Sequence, residues 1–148
     1  MGVTFQTFAV DTTLLGRLLA DGGAADEYCQ ERYCKDIADE SVWLDKSGMG
    51  IMEAFGVMTG EAAPPASWVF GADQMNIGDN ECPFLTSAQV AEVARWIGDI
   101  TEEEFRTLAG FNEMDTDVDY LAHFFVRLRD FYRVAASSGK ATFTYVSY

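Results

Sequence analysis

Hydrophobic and polar positions trace a series of short elements along the chain. Positions 3–10 alternate and are rich in β-branched and aromatic side chains, which predicts a strand. Asp11 offers an N-cap, and Leu14, Leu15, Leu18 and Leu19 give a short helix ended by Asp21-Gly22-Gly23. A second helical stretch is expected over 24–37, carrying Tyr28, Tyr33 and many charges. Positions 41–46 lead into a Gly- and Met-rich helix at about 48–58, closed by Thr59-Gly60. Pro64-Pro65 marks a break. Trp68-Val69-Phe70 then has strand propensity, and Gly71 opens a polar loop reaching Asn80.

The second half carries stronger helix signals. Thr86 with Gln89 three residues on forms a capping box ahead of an apolar stripe of Val90, Val93, Trp96 and Ile97. Thr101 with Glu104 repeats the pattern and starts a short helix through Phe105 and Leu108. After Asp115-Thr116-Asp117, apolar positions recur at spacings of three and four from Val118 through Leu121, Phe125, Leu128, Tyr132 and Ala135, a face that must be buried. Ser137-Ser138-Gly139 stops that helix, and positions 141–148 alternate as a closing strand. With neither repeat nor long linker, residues 1–148 are expected to form one α+β domain. Its helices would pack on a small sheet that includes the N- and C-terminal strands.

Composition agrees with a folded core. Of 148 residues 49% are apolar and 14% aromatic. A chain of this size buries roughly 68–70% of its unfolded surface, so no disulfide or metal is needed to complete the core. The charge changes the picture more. The net charge of -14, from 24 acidic and 10 basic side chains, repels nucleic acid and anionic lipid and attracts a basic protein. The start of the chain lacks a secretory signal, and Gln6 stands where a myristoylation site wants Ser or Thr. No apolar run approaches the ~20 residues of a membrane span. Three cysteines, an odd count, suit free thiols in a reducing compartment, so a cytoplasmic location is expected.

Several chemistries can be set aside on spacing. Cys29, Cys34, Cys82 and the lone His123 have the number of ligands for zinc but not its paired spacing. Cys29 and Cys34 would diverge by about 140° on a helix, which also opposes a disulfide. His123 lies opposite its helix's apolar stripe, flanked one turn away by Asp119 and Arg127, and reads as part of a solvated face with helical charge pairs. Asp115-Thr116-Asp117-Val118-Asp119 opens like a calcium loop, but Tyr120 and Val126 occupy the Gly and Glu positions. Lys46-Ser47-Gly48-Met49-Gly50 lacks the glycine before a phosphate-loop lysine, and Glu53 replaces the third glycine of a dinucleotide fingerprint. No cofactor or metal is expected from these motifs.

The ordered pieces resemble a family. They are the Met1-Gly2 start with its strand, the Leu14 to Leu19 helix, Leu44-Asp45-Lys46 leading to Thr59-Gly60, and Trp68-Val69-Phe70-Gly71. Leu85-Thr86-Ser87-Ala88-Gln89-Val90 and Phe131-Tyr132-Arg133-Val134-Ala135-Ala136 follow in order. Together they resemble the YfbM-like family of bacterial domains of unknown function. The resemblance implies an α+β single domain and no activity. This chain has Gly48 and Met49 where the family has an aromatic and polar pair, and Phe111-Asn112-Glu113-Met114 where it has a Tyr-Pro stretch.

Two functions are weighed. The first is a non-enzymatic binding protein that meets a basic protein partner through an acidic face, in one version an immunity- or antitoxin-like factor. The acidic residues concentrate between Asp21 and Asp45 and between Asp99 and Asp119. The alternative is a small-molecule binder or enzyme with a carboxylate and lysine pocket near Asp45 and Lys46, drawing on Asn76, Asp79 and Asn80 of the polar loop. Self-association is left open.

Overall fold

The computed structural model describes residues 2–110 and 116–148. The Phe111 to Met114 departure from the family pattern and Asp115 lie outside the described residues. Five strands, β1 (Thr4–Val10), β2 (Ser41–Asp45), β3 (Asp73–Ile77), β4 (Asn80–Leu85) and β5 (Ala141–Ser147), form one antiparallel sheet in the order β2-β1-β5-β4-β3. The two terminal strands are central neighbours, paired from Thr4↔Ser147 to Val10↔Ala141. Around the sheet pack α1 (Thr12–Ala20), α2 (Gly22–Arg32), α3 (Ser47–Ala54), α4 (Ser87–Gly98), α5 (Glu102–Ala109) and α6 (Val118–Ser137). The chain is an α+β unit.

Alternation along the strands divides the core in two. Phe8, Val10, Met75, Ile77, Cys82 and Phe143 face α1 and α2, and meet Leu15, Leu18, Ala25 and Cys29 there. Phe5, Ala9, Val42, Leu44 and Leu85 face the other way, toward α3 to α6. The second layer is the larger, and α6 is its spine. Leu121, Phe125, Leu128, Tyr132 and Ala135 are buried along one side of α6, as its periodicity predicts.

Local chemistry sets most boundaries as read. Asp11 accepts the Leu14 amide at 2.7 Å, and Thr86 and Gln89 close a reciprocal capping box. Asp21 does more than end a helix. Its amide closes α1 on the Arg17 carbonyl while its carboxylate accepts the Gly23 and Ala24 amides, so α2 begins at Gly22 rather than 24. It also ends at Arg32 rather than 37. Gln6, buried in β1, catches the chain there: its amide nitrogen donates to the Arg32 and Lys35 carbonyls at 2.8 and 3.0 Å, and its oxygen accepts the Cys34 amide at 3.1 Å.

Three expectations change. Positions 41–45 form an edge strand, β2, that the pattern alone did not separate from the helix after it. Trp68-Val69-Phe70 is not a strand: Ala66–Trp68 is a 3-10 turn, and side chains take the carbonyls that a strand would pair. The Tyr132 hydroxyl donates to the Val69 carbonyl at 2.5 Å, and the Thr144 hydroxyl to that of Phe70 at 3.0 Å. The polar loop through Asn80 is instead the hairpin β3–β4, turning at Gly78 with φ +59° and Asp79. Its buried Met75, Ile77 and Cys82 alternate with exposed Gln74, Asn76 and Glu81.

Candidate functional site

Asp45 and Lys46 sit where β2 turns into α3. Asp45 has φ +50°, a left-handed conformation that Asp tolerates better than most residues, next to a bulge in which Leu44 is the extra residue of β2 facing Phe5 and Gln6. Ser47 then donates its hydroxyl to the Leu44 carbonyl at 2.6 Å. The Tyr120 hydroxyl from α6 locks the turn: it donates to Asp45 Oδ2 at 2.9 Å and accepts the Lys46 amide at 3.1 Å. Burial, and next the bond to Asp45, push the Tyr120 hydroxyl up to about 12. The Lys46 stem lies over Gly2, where an added Cβ would stand 2.9 Å from Lys46 Cδ. Of the hollows described below, none is lined by Asp45 or Lys46.

Asn76, Asp79 and Asn80 are at the other end of the sheet. β2 and β3 are its two outer strands, so four interstrand spacings, about 19 Å at ~4.8 Å each, separate Asn76 from Asp45, and Asn80 on β4 stands three spacings away. The five residues do not converge on one pocket. Asn76 projects on the same sheet face as its partner Glu81. The turn that carries Asp79 packs against α2: the Asp26 carboxylate lies beside Gly78, 3.5 Å from where a Cβ would be.

The acidic segments also part company. α2 lies on one face of the sheet, α5 and α6 on the other, so the helical carboxylates of the two segments occupy opposite layers. Many have local work. Asp21 and Asp117 cap helices, Asp36 pairs with Arg127, and Asp119 and Glu102 share Arg106. Asp119 and Arg127 therefore engage α5 and the loop before β2 rather than flanking His123, which is exposed with its ring 5.1 Å from that of Phe124. The α2 layer is the less neutralised. Asp21, Glu27 and Glu31 border a hollow of about 480 Å³ between α1 and α2, floored by Leu14, Leu18 and Tyr28. Its two arginines are Arg17 and Arg32, and the Arg32 guanidinium sits 3.7 Å above the Tyr28 ring and 3.2 Å from Glu31.

A second hollow, of about 460 Å³, opens on the opposite sheet face between α3 and the β3–β4 end. Phe5, Phe70 and Val146 line it from the sheet side, Met49 and Met52 from α3, and Gln74 and Glu81 stand at its polar rim. The sequence reading missed this hollow. Its signals were the Met-rich helix and the period-two alternation of Gln74 and Asn76 with Met75 and Ile77. The cysteines are free, with Cys29 and Cys82 buried and Cys34 exposed. Among the described residues no group of three or more His, Cys, Asp or Glu could hold a metal, and no helix is long and apolar enough to cross a membrane.

Comparison with known proteins gives one structural likeness. The crystal structure of a protein of unknown function, YfbM from Escherichia coli, superposes with a TM-score of 0.59 at 14% identity, over 97% of this chain and 99% of that one. At that identity the likeness speaks for the fold alone. No curated protein matches. The family described as Domain of unknown function (DUF1877) matches residues 1–145, and the chain belongs to that family.

Proposed function

We propose that this domain is a non-enzymatic binding protein that recognises a basic protein partner, in the manner of an immunity or antitoxin-like factor, in a reducing cytoplasm. The observation that carries the reading is the union of α2 with the β3–β4 turn. The Asp26 carboxylate of α2 lies beside Gly78 of that turn, 3.5 Å from where a Cβ would be, with Asp79 the next residue along the chain. Glu27, which follows Asp26, borders the concave α1–α2 surface together with Asp21 and Glu31. Carboxylates around a shallow apolar floor suit Lys or Arg side chains, whose stems cover Leu14 and Leu18 while their heads meet the rim. Such a surface steers a basic partner from a distance, and the steering weakens as salt shortens the Debye length.

The test is co-purification from native cells with wild type and with an Asp26→Asn/Glu27→Gln/Asp79→Asn variant, at low and moderate salt. A partner held at low salt, weakened by moderate salt and lost from the variant is the expected result. No partner, or one that ignores both salt and the variant, overturns the reading.

A further inference from the structure

The hollow between α3 and the β3–β4 end is a formed cavity on the sheet face opposite the acidic helix, and its volume of about 460 Å³ falls within the ~300–1,000 Å³ of small-ligand sites. Two glycines hold its walls in place. A Cβ on Gly48 would drive into the Phe5 ring, and one on Gly71 would stand 2.5 Å from the Phe84 amide nitrogen. α3 and the segment after Phe70 are thus seated directly on the sheet. Phe5 and Phe70 pack with ring centroids 5.1 Å apart. Such a cavity needs little reorganisation to accept a ligand.

Its chemistry is one-sided. The interior offers the rings of Phe5 and Phe70 and the thioethers of Met49 and Met52, with the exposed Tyr148 at its mouth, surfaces that take an aliphatic or aromatic body. No Lys, Arg or His lines it, and Glu81 has no ion-pair partner among the described residues. Gln74 adds a carbonyl acceptor on the neighbouring strand, and Asn76 faces Glu81 across the hairpin on the same side. An anionic ligand would meet the Glu81 carboxylate with no lining cation to offset it, in a chain of net charge -14. We propose that this cavity binds a small primary amine with an apolar body of one ring and a short chain. The ammonium donates to Glu81 and Gln74, and the body rests against Phe5, Met49 and Met52. This site is independent of the acidic α2 surface.

Three compounds of one shape test it: phenethylamine, 2-phenylethanol and 3-phenylpropionate, titrated to millimolar concentration into protein carrying ¹³C-labelled methionine methyls. Phenethylamine is expected to move the Met49 and Met52 signals saturably, the alcohol to bind more weakly, and the carboxylate weakest of all. Glu81→Gln, a change at an exposed position, should weaken the amine by about threefold, as befits a rim ion pair, and leave the alcohol unchanged. The methyl spectrum of the variant reports at once whether it is folded. Silence of both methyls toward all three compounds overturns the proposal. So does equal binding of amine and carboxylate, or amine binding that ignores Glu81→Gln.

Discussion

Tyr120 shows how one hydroxyl can account for two residues that otherwise invite a catalytic reading. It engages the Asp45 carboxylate and the Lys46 amide together, so the Asp-Lys pair serves the turn between β2 and α3. Tyr120→Phe should cost about 1 kcal/mol in denaturant unfolding, the net value of a typical hydrogen bond. Asp45→Asn should be nearly neutral, because Asn also tolerates a left-handed backbone. Asp45→Val should cost about 1–2 kcal/mol, since φ is +50° there. The hydroxyl is also a pH element. Its folded value of about 12 lies above the ordinary ~10, so the protonated ring favours the fold. That contribution is complete below about pH 10 and is lost as pH rises toward 12. Burial raises Tyr132 as well. Phenolate absorbance during alkaline titration should therefore lag behind that of the unfolded chain, and Tyr120→Phe should shrink the lag. Thiols divide in the same way. A thiol reagent should label Cys34 readily in the native protein, and Cys29 and Cys82 only after denaturation, because burial holds both thiols in the protonated form.

At the scale of elements, α3 meets β1 at a glycine, where a Cβ on Gly48 would stand 2.3 Å from the Phe5 ring. Gly48→Ala should destabilise by about 1–3 kcal/mol, because the added methyl would overlap the Phe5 ring and force the ring or α3 to move. Thermal unfolding would register it, and no cost would mean that α3 can lift from the sheet. The same chain region marks the limit of what the sequence could reveal. Helices α4, α5 and α6 were legible because their signals are local: Thr86 and Thr101 as caps, Leu121 to Ala135 as a stripe. β1 and β5 were legible from their alternation. β2 was not, because its five residues run into α3 with only Lys46 between them. The β3–β4 hairpin was not, since an edge strand rich in Asp, Gln and Asn is defined by its partners across the sheet rather than by its own composition. Val69 and Phe70 have the composition of a strand, but their carbonyls go to Tyr132 and Thr144, more than sixty residues downstream. The cavity was invisible for the same reason. Phe5, Met49, Phe70 and Glu81 come from four separate stretches, whereas Asp45 and Lys46 stood out as an adjacent pair that matches the family pattern.

For the whole molecule, the question is what a net charge of -14 does once the sheet has divided it. On the α6 side, Arg106 and Arg127 draw in Glu102, Asp119 and Asp36. On the α2 side, no ion pair among the described residues engages Asp26, Glu27 or Asp79, and the repulsion among these carboxylates opposes the compact state. Raising sodium chloride from ~0.01 M to ~0.15 M shortens the Debye length from ~30 to ~8 Å and should raise the unfolding midpoint. If the repulsion relieved is ~1 kcal/mol, the rise is ~2–4 °C for a domain of this size. The Asp26→Asn/Glu27→Gln/Asp79→Asn variant should start from a higher midpoint and respond less to salt. A midpoint that falls with salt, or a variant with an unchanged salt slope, would show that these carboxylates do not repel one another enough to matter. The variant also joins stability to recognition. A surface that costs the free domain stability while attracting a basic partner should become more stable and bind less in a single step. A variant that gains stability with partner binding intact would leave the acidity as a property of the solvated surface alone.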